Sequence, residues 1–265
     1  MHPDPSRIGS NRLGVLRDPP HRFAVRGSFM ANVRFDQWRQ LPTKWVHNQE
    51  LKQLRWGLHG ADAIAALMVM LVMAHRRPLF SDGTNGDHFS VTYDDLGRGL
   101  NISRSKISKG ISLLVQQGWI ERGDGRSLYR FTSPSIPWGK VPVRALYDRH
   151  DAISAFDAWR LRNPLELDAL KLYFLLIAFR DTQKNYAIMR YHVMSEYTGV
   201  QMGKIKGALN FLVVSNLIYV EREAKDPFDR TNPANLYRLR AVDPYRHAGT
   251  GALSEPTWHD EDMPM

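Results

Sequence analysis

One pattern of residues occurs twice in this chain, and the second copy follows the first at a nearly constant distance. The stretch that begins at Tyr93 returns at Tyr191, 98 residues later, without a gap. Apolar and basic positions coincide at this offset, as in Ile102 with Val200, Lys106 with Lys204, Ile107 with Ile205, Leu114 with Leu212, and Ile120 with Ile218. An internal repeat constrains the architecture more strongly than any local pattern does.

Two flanking segments extend the repeat. Residues 127–131 recur at 235–239 with an offset of 108, and residues 38–42 recur at 138–142 with an offset of 100. Two units of about a hundred residues each predict two small domains rather than a solenoid or one large core. The predicted segments are 1–34 for an N-terminal arm, 35–132 and 133–240 for the two domains, and 241–265 for a C-terminal tail.

The composition predicts a soluble intracellular protein. A chain of 265 residues with 43% hydrophobic residues can bury two modest cores. The absence of cysteine excludes a disulfide framework and is consistent with a reducing compartment. The longest apolar run, residues 63–74, is shorter than the roughly 20 residues that span a bilayer, and no secretory signal is recognisable. We therefore expect no membrane partner.

The net charge of +9 lies on the repeated part of the chain. Residues 1–34 contain six arginines and two aspartates, whereas residues 241–265 contain five acidic residues and one arginine, so the two ends cancel. A basic folded body indicates a polyanionic partner, nucleic acid first, although a solvated basic surface is the plain alternative. We expect a disordered basic arm at the N-terminus, with Met30 as an alternative natural start, and an acidic flexible tail.

Local patterns in the first unit predict a helix, a strand, two helices and a hairpin. The predicted elements are helix 61–75, a strand on alternating Phe89, Val91 and Tyr93, helix 94–100 before Asn101, a helix from the cap Ser103 to Gln117 before Gly118, and strands 119–122 and 128–131 around Gly123-Asp124-Gly125. We expect positive φ in this hairpin turn. The expected buried stripe of the longer helix is Ile107, Ile111, Leu114 and Val115.

The second unit repeats this order. It contains predicted helices at 166–179, 192–198 and 201–215, and predicted strands near 187–191, 218–221 and 236–239. A helix-turn-helix followed by a two-stranded wing is a winged helix. The predicted fold is therefore mainly α with small β wings, an α+β fold of two tandem winged-helix domains from an internal duplication.

The helix-turn-helix of the first unit resembles known DNA-binding proteins. Its run Leu100-Asn101-Ile102-Ser103-Arg104-Ser105-Lys106-Ile107, with Leu113-Leu114 and Gly118-Trp119-Ile120 behind it, is similar to bacterial winged-helix regulators of the MarR and GntR kind. Two tandem winged helices, each entered by a Leu-Pro or Val-Pro segment and an apolar helix, resemble the replication initiators of plasmids and integrative elements. No motif is specific to one initiator family.

The resemblance implies sequence-specific binding of double-stranded DNA by a cytoplasmic bacterial protein associated with the nucleoid or a plasmid. It also implies contacts with the replication or transcription machinery, and a homodimer. Two alternatives stay open. One is a transcriptional autoregulator, and the other is a winged-helix scaffold for protein interactions, as in chromosome segregation.

The candidate DNA-binding residues of the first unit lie on the predicted helix from Ser103 to Gln117, which is the second helix of the helix-turn-helix, and on the wing. Base edges are read by hydrogen bonds from short polar and basic side chains on the face opposite the core. Such residues are Arg104, Ser105, Lys106, Ser108, Lys109 and Ser112 on the helix, and Arg122, Arg126 and Arg130 on the wing. An ordinary solvated helix face is less consistent with three serines and with no acidic residue between Ile102 and Ile120.

The second unit offers fewer DNA-binding groups. Its candidates are Lys204, Lys206 and Asn210 on the helix, and Lys225 and Arg230 on the longer wing. Gly203 and Gly207 replace Ser105 and Lys109, so this helix either contacts DNA through the remaining groups or packs on a partner protein. We favour weaker DNA contact together with a role in self-association.

Other classes of function find no support in the residues. Histidines at metal-ligand spacing and nucleotide-binding loops are both absent from the sequence, so we predict no enzyme, no cofactor and no metal. Asp94-Asp95 is interpreted as a partner of a helix N-terminal dipole rather than a metal pair. The tryptophans that precede each unit are interpreted as core residues.

Overall fold

The computed structural model describes residues 38–77, 88–132, 136–181, 185–222 and 235–242. These residues form a mixed α/β protein with three small antiparallel sheets. None of the helices in these ranges is long and apolar enough to cross a membrane. The predicted N-terminal arm, the tail beyond residue 242, Lys225 and Arg230 lie outside the described residues.

The first half begins with a strand and ends with a hairpin. Its elements are β1 (Trp38–Pro42), α1 (Lys44–His47), a 3-10 turn (Glu50–Gln53), α2 (Trp56–His59), α3 (Ala61–Arg76), β2 (His88–Ser90), α4 (Tyr93–Leu100), α5 (Arg104–Gln116), β3 (Ile120–Arg122) and β4 (Leu128–Phe131). The sheet of this half has the strand order β2-β4-β3. From α3 onward, the observed elements follow the predicted order.

The second half repeats this succession of elements. Its elements are β5 (Trp138–Pro142), a 3-10 turn (Ser154–Phe156), α6 (Pro164–Phe179), β6 (Ala187–Ile188), α7 (Tyr191–Thr198), α8 (Met202–Val214), β7 (Ile218–Arg222) and β8 (Asn235–Leu239). The sheet of this half has the strand order β6-β8-β7. The helix pairs α4–α5 and α7–α8 have the same lengths and lie 98 residues apart.

Capping side chains explain where α4 and α5 begin. Thr92 and Asp95 form a reciprocal capping box at α4, in which the Asp95 N–H donates to the Thr92 hydroxyl over 3.1 Å. At α5, the Ser103 hydroxyl accepts from the Lys106 N–H over 3.3 Å, as predicted. The left-handed residues Asn101 and Gly199 end α4 and α7, because that backbone conformation stops a helix.

The two hairpins pair in corresponding registers. Ile120 lies opposite Phe131 in the first half, and Ile218 lies opposite Leu239 in the second. On the other side of each central strand, β2 pairs with β4 and β6 pairs with β8. The corresponding partners there are Phe89 with Tyr129 and Ala187 with Tyr237. Each pair of the second half follows from the first by the offsets of 98 and 108 residues. The ten additional residues of the second copy therefore lengthen its hairpin: β7 is two residues longer than β3, β8 is one residue longer than β4, and the connection between the strands is seven residues longer.

Helices α3 and α6 form the centre of the molecule. Residues 63–74 of α3 are fully buried, and most of α6 is buried as well. A helix that is apolar on all sides is stable only when other elements surround it. Here α3 packs against α5 and α6 packs against α8, while α3 and α6 also contact each other. The buried residues of both halves belong to one continuous hydrophobic cluster.

The segments 38–42 and 138–142, which are related by the sequence repeat, pair with each other as β1 and β5. Gln40 lies opposite Lys140 at the centre of this antiparallel ladder, and Trp38 stacks on Trp138 with ring centroids 5.8 Å apart. Because equivalent residues meet at its centre, the ribbon itself has an approximate local twofold axis. A Cβ atom at Gly139 would lie 2.5 Å from the Ile177 carbonyl oxygen, so this glycine permits α6 to approach the ribbon.

Three local predictions were wrong. Val115 was predicted to be buried but is 37% exposed. The side of α5 that carries Gly110 packs on α3, and this orientation turns Val115 away from the core. The glycines of the first hairpin turn do not have positive φ; instead, a Cβ atom at Gly123 would lie 2.7 Å from the Leu128 side chain. Tyr93 is the first residue of α4 rather than part of the preceding strand.

The packing at Gly110 gives a stability prediction. A Cβ atom there would lie 2.9 Å from the backbone carbon of Ala65, whereas at Gly207 the nearest atom is the Leu165 Cδ1 at an ordinary 3.7 Å. We expect Gly110→Ala to lower the free energy of unfolding by about 1–3 kcal/mol through overpacking. The matched Gly207→Ala should raise it by about 0.5–1 kcal/mol, since alanine favours a helix. Chemical denaturation measures both, and a stabilised Gly110→Ala would contradict the packing.

Candidate nucleic-acid interface

Helix α5 presents a polar face to solvent. Its core side is formed by Ile107, Gly110, Ile111, Leu113 and Leu114. The opposite side carries the exposed residues Ser105, Lys109, Ser112 and Gln116. Ser108 is half-buried at the edge of this face. The structure thus brings Ser105, Ser112 and Lys109, but not Ser108, to an exposed surface of polar and basic side chains, here called the α5 face (Ser105, Lys109, Ser112 and Gln116).

The basic side chains of α5 meet carboxylates from other helices. The Lys106 ammonium lies 2.8 Å from Asp62 Oδ1, and the Lys109 ammonium lies 3.9 Å from Asp62 Oδ2. The guanidinium of Arg104 is paired with Asp94 at the start of α4. Lys106 therefore lies on the flank of α5 that faces α3, rather than on the α5 face.

The three predicted arginines of the β3–β4 hairpin have different surroundings. Tyr129 and Phe131 are buried and Arg130 is exposed, as the alternation predicted. The Arg130 guanidinium pairs across the strands with Glu121, and its Nε donates to that carboxylate over 2.8 Å. Arg122 and Arg126 are exposed, at the end of β3 and in the connection to β4. A phosphate can therefore approach Arg122 and Arg126 from solvent, whereas at Arg130 it competes with a carboxylate.

In the second half, the corresponding helix α8 presents a less polar surface. Lys204, Lys206 and Asn210 are exposed, as are Gly203 and Gly207. Apolar groups accompany them, since Met202 is 56% exposed and Val214 is 84% exposed. A Cβ atom at Gly203 would meet nothing within 4 Å, so packing within the described part of the chain does not require a glycine there.

A buried lysine supports the turn between α7 and α8. The Lys171 ammonium donates a hydrogen bond to the Thr198 carbonyl over 2.9 Å, near the end of α7. Burial lowers the pKa of Lys171 to about 8, and the nearby Asp168 carboxylate acts against this shift. Burial raises the pKa of Asp168, and the positive charges of Lys171 and Lys204 oppose that change. The Lys204 charge thus lies within electrostatic range of a carboxylate of α6.

Sequence reasoning missed the carboxylates that face α5. Asp62 lies 44 residues before Lys106, so only the packing of α5 on α3 reveals the contact. Among the described residues, no group of three histidine or acidic side chains is arranged to hold a metal ion. Comparison of the chain with protein-family models and with curated proteins finds no match.

Proposed function

We propose that this protein binds double-stranded DNA in a sequence-specific manner through two winged helices that arose by internal duplication. In each half, the last three helices are followed by a hairpin, and the second strand of the hairpin also pairs with a short strand that precedes the helix pair. The equal lengths of α4 and α7, of α5 and α8, and the corresponding registers support this assignment. The first half is the principal reader.

The α5 face carries the proposal. Four polar side chains lie on the exposed side of a helix whose other side is buried, and Ser103 caps its first turn. Serine, lysine and glutamine are suited to hydrogen-bond base edges in the major groove. Serines are poor helix formers, so a face selected only for solubility would favour glutamate, lysine or alanine.

The relation between the two halves supports a single DNA duplex as the ligand. α5 packs on α3, α3 on α6, and α6 on α8. Three successive helix-to-helix distances of about 8–10 Å place α5 and α8 up to about 30 Å apart. Successive major grooves on one side of a duplex are about 34 Å apart, and a twofold axis, such as the local axis of the β1–β5 ribbon, is the symmetry with which paired helix-turn-helix units approach them.

Within this function, the most specific role we propose is replication initiation on a plasmid or mobile element, with a transcriptional regulator as the alternative. Footprinting on the DNA that flanks the gene for this protein tests both. Protection of repeated sequences, together with replication of a mini-replicon that depends on the protein, supports initiation. Protection confined to a promoter supports the regulator, and no protection at any salt concentration would rule out both.

The surface of α8 favours a second role for the second half. Exposed Met202 and Val214, together with Gly203, permit close contact with another protein and leave few groups that read bases. We infer weaker DNA contact through Lys204 and Lys206 and self-association through α8. Gel filtration with and without duplex DNA separates this from a pure scaffold. A stable protein complex that ignores duplex DNA at about 50 mM salt would favour the scaffold, because the electrostatic attraction is large under that condition.

The wing gives a prediction that concerns affinity rather than specificity. Replacing Arg126 by alanine should weaken binding to all duplexes alike and reduce the slope of log K against log salt by about 0.9, since one cation no longer meets a phosphate. Replacing Arg130 should have a smaller effect, because its guanidinium already pairs with Glu121. Salt titrations by fluorescence anisotropy measure both slopes. A change in sequence preference for Arg126→Ala would contradict a phosphate contact.

A further inference from the structure

One carboxylate engages two of the three basic side chains of α5. Asp62, in the first turn of α3, lies 2.8 Å from the Lys106 ammonium and 3.9 Å from the Lys109 ammonium. The Asp62 and Lys106 side chains are 30% and 35% exposed, so water screens this pair only in part. The third basic side chain, Arg104, pairs with Asp94, but both groups are mostly exposed and the contact is correspondingly weaker.

The second half contains a related arrangement. Lys204 corresponds to Lys106 by the offset of 98 residues, and its positive charge acts on the Asp168 carboxylate of α6. Asp168 does not correspond to Asp62, because Asp62 is the second residue of α3 and Asp168 is the fifth residue of α6. In both halves, therefore, an acid of the central helix lies within electrostatic range of the same lysine position.

A carboxylate at this position affects specific and non-specific DNA binding unequally. Non-specific binding derives from contacts between cations and phosphates and from the release of counterions. A lysine that is already paired must exchange its carboxylate for a phosphate, which reduces that gain. Hydrogen bonds from Ser105 and Ser112 to base edges do not involve Asp62, so they keep their full contribution on the preferred sequence. Asp62 therefore increases the ratio of the affinity for the preferred sequence to the affinity for unrelated DNA.

We propose that Asp62 is a specificity-determining residue that holds Lys106 on the α3 flank of α5, keeps the Lys109 ammonium near its carboxylate at the edge of the α5 face, and withholds both lysines from the phosphates of unrelated DNA. This inference rests on the proposed DNA binding. Asp62 acts through the two lysines and is a positioning residue rather than a base-reading one.

The test uses the full chain with Asp62→Asn and two duplexes. One is an unrelated 30-bp duplex, and the other is a duplex that the wild-type chain enriches from a randomised library. For the unrelated duplex, we expect affinity to rise about tenfold at about 50 mM salt and the salt slope to steepen by up to about 1.8, or about 0.9 for each freed lysine. For the enriched duplex, affinity should change less, so the ratio of the two affinities narrows.

Three further variants make this result interpretable. Asp157→Asn removes the same charge from an exposed residue next to the 3-10 turn 154–156, and it should leave the slope unchanged. Asp62→Glu should restore the wild-type ratio. Adding Lys106→Gln and Lys109→Gln to Asp62→Asn should abolish the steeper slope. A merely structural role of Asp62 would not depend on these lysines in that way.

The outcomes separate this inference from the function on which it rests. If the wild-type chain prefers its enriched duplex and Asp62→Asn behaves like Asp157→Asn, the role of Asp62 is refuted while DNA binding stands. If Asp62→Asn keeps its steeper slope after both lysines are replaced, the effect does not pass through them and the inference is again refuted. If the wild-type chain binds neither duplex at about 50 mM salt, both proposals fail.

Discussion

Acidification should destabilise this protein by about 5 kcal/mol through one histidine. His75 is fully buried near the end of α3, with its Nδ1 2.7 Å from the Tyr147 hydroxyl. Burial lowers the pKa of His75 from 6.5 to about 3; the Pro142 carbonyl opposes this shift and the charges of Arg39 and Arg76 add to it. The folded state therefore keeps this ring neutral over a range in which the unfolded chain protonates it.

The sign of the effect follows from the lowered pKa. Above pH 6.5 the ring is neutral in both states and contributes nothing to pH dependence. As the pH falls from 6.5 toward 3, only the unfolded chain takes up the proton, so stability is lost progressively. Each pKa unit by which the folded and unfolded states differ corresponds to about 1.4 kcal/mol of stability. The free energy of unfolding therefore falls by about 5 kcal/mol over the whole interval.

Urea denaturation at several pH values, with His75→Gln as the matched variant, isolates this contribution. Glutamine retains a polar group toward Tyr147 but does not titrate. The difference in the free energy of unfolding between wild type and His75→Gln should shrink, or reverse in favour of the variant, as the pH falls from about 7 to about 4. Parallel pH profiles for the two proteins would show that His75 is not held neutral in the folded state.

Removal of the polar groups of the α5 face should abolish site preference. We expect the combined change of Ser105, Lys109 and Ser112 to alanine to cost about 1–3 kcal/mol for each base-reading side chain removed, until only non-specific affinity is left. Affinity for the preferred duplex should fall by at least about 10³-fold, to the level of non-specific binding. All three residues are exposed, so the melting temperature should change little.

Changes on α8 provide the matched control. Lys204→Ala with Lys206→Ala should reduce specificity far less, because Gly203 and Gly207 leave that helix few base-reading groups. Competition binding with preferred and unrelated duplexes measures both variants. If the α8 variant loses site preference while the α5 variant keeps it, the reading helix has been assigned to the wrong half.

The sequence repeat was a reliable guide to the elements. The helices α4, α5, α7 and α8 begin and end within about two residues of the predicted bounds, since capping residues such as Ser103 and Asn101 act locally. Residues that pair in the first hairpin correspond, at offsets of 98 and 108, to residues that pair in the second. The register is fixed in this way because the buried side chains of paired strands must lie on the same face of the sheet. Local chemistry and periodicity suffice for such features.

Contacts between distant segments were not predictable in the same way. Nothing in the residues indicates that β1 pairs with β5, and this pairing joins the two repeated units through one core. The boundary between residues 132 and 133 stays a prediction. The contact of Asp62 with Lys106 depends on the packing of α5 on α3, and Gly110 permits the close approach of these helices.

In the candidate site, too, local features were predictable from the sequence and contacts between distant segments were not. Periodicity placed Ser105, Lys109 and Ser112 correctly on the exposed side of α5, and the alternation of β4 placed Arg130 outward. Periodicity could not show that Lys106 and Arg130 are engaged by carboxylates, because those partners come from another helix and another strand. The proposed specificity therefore depends on the polar side chains of the α5 face more than on the number of basic residues.

The central claim is sequence-specific recognition of duplex DNA by the α5 face. Its most direct test is to measure, by fluorescence anisotropy, the equilibrium binding of the full chain to its enriched duplex and to an unrelated duplex. The measurement is made at salt concentrations between about 50 and 200 mM. We predict a preference of at least about 10³-fold for the enriched duplex, a steep salt dependence on both, and loss of the preference when the α5 face is replaced by alanine. Equal affinity for the two duplexes, or no binding to either at about 50 mM salt, would contradict this claim.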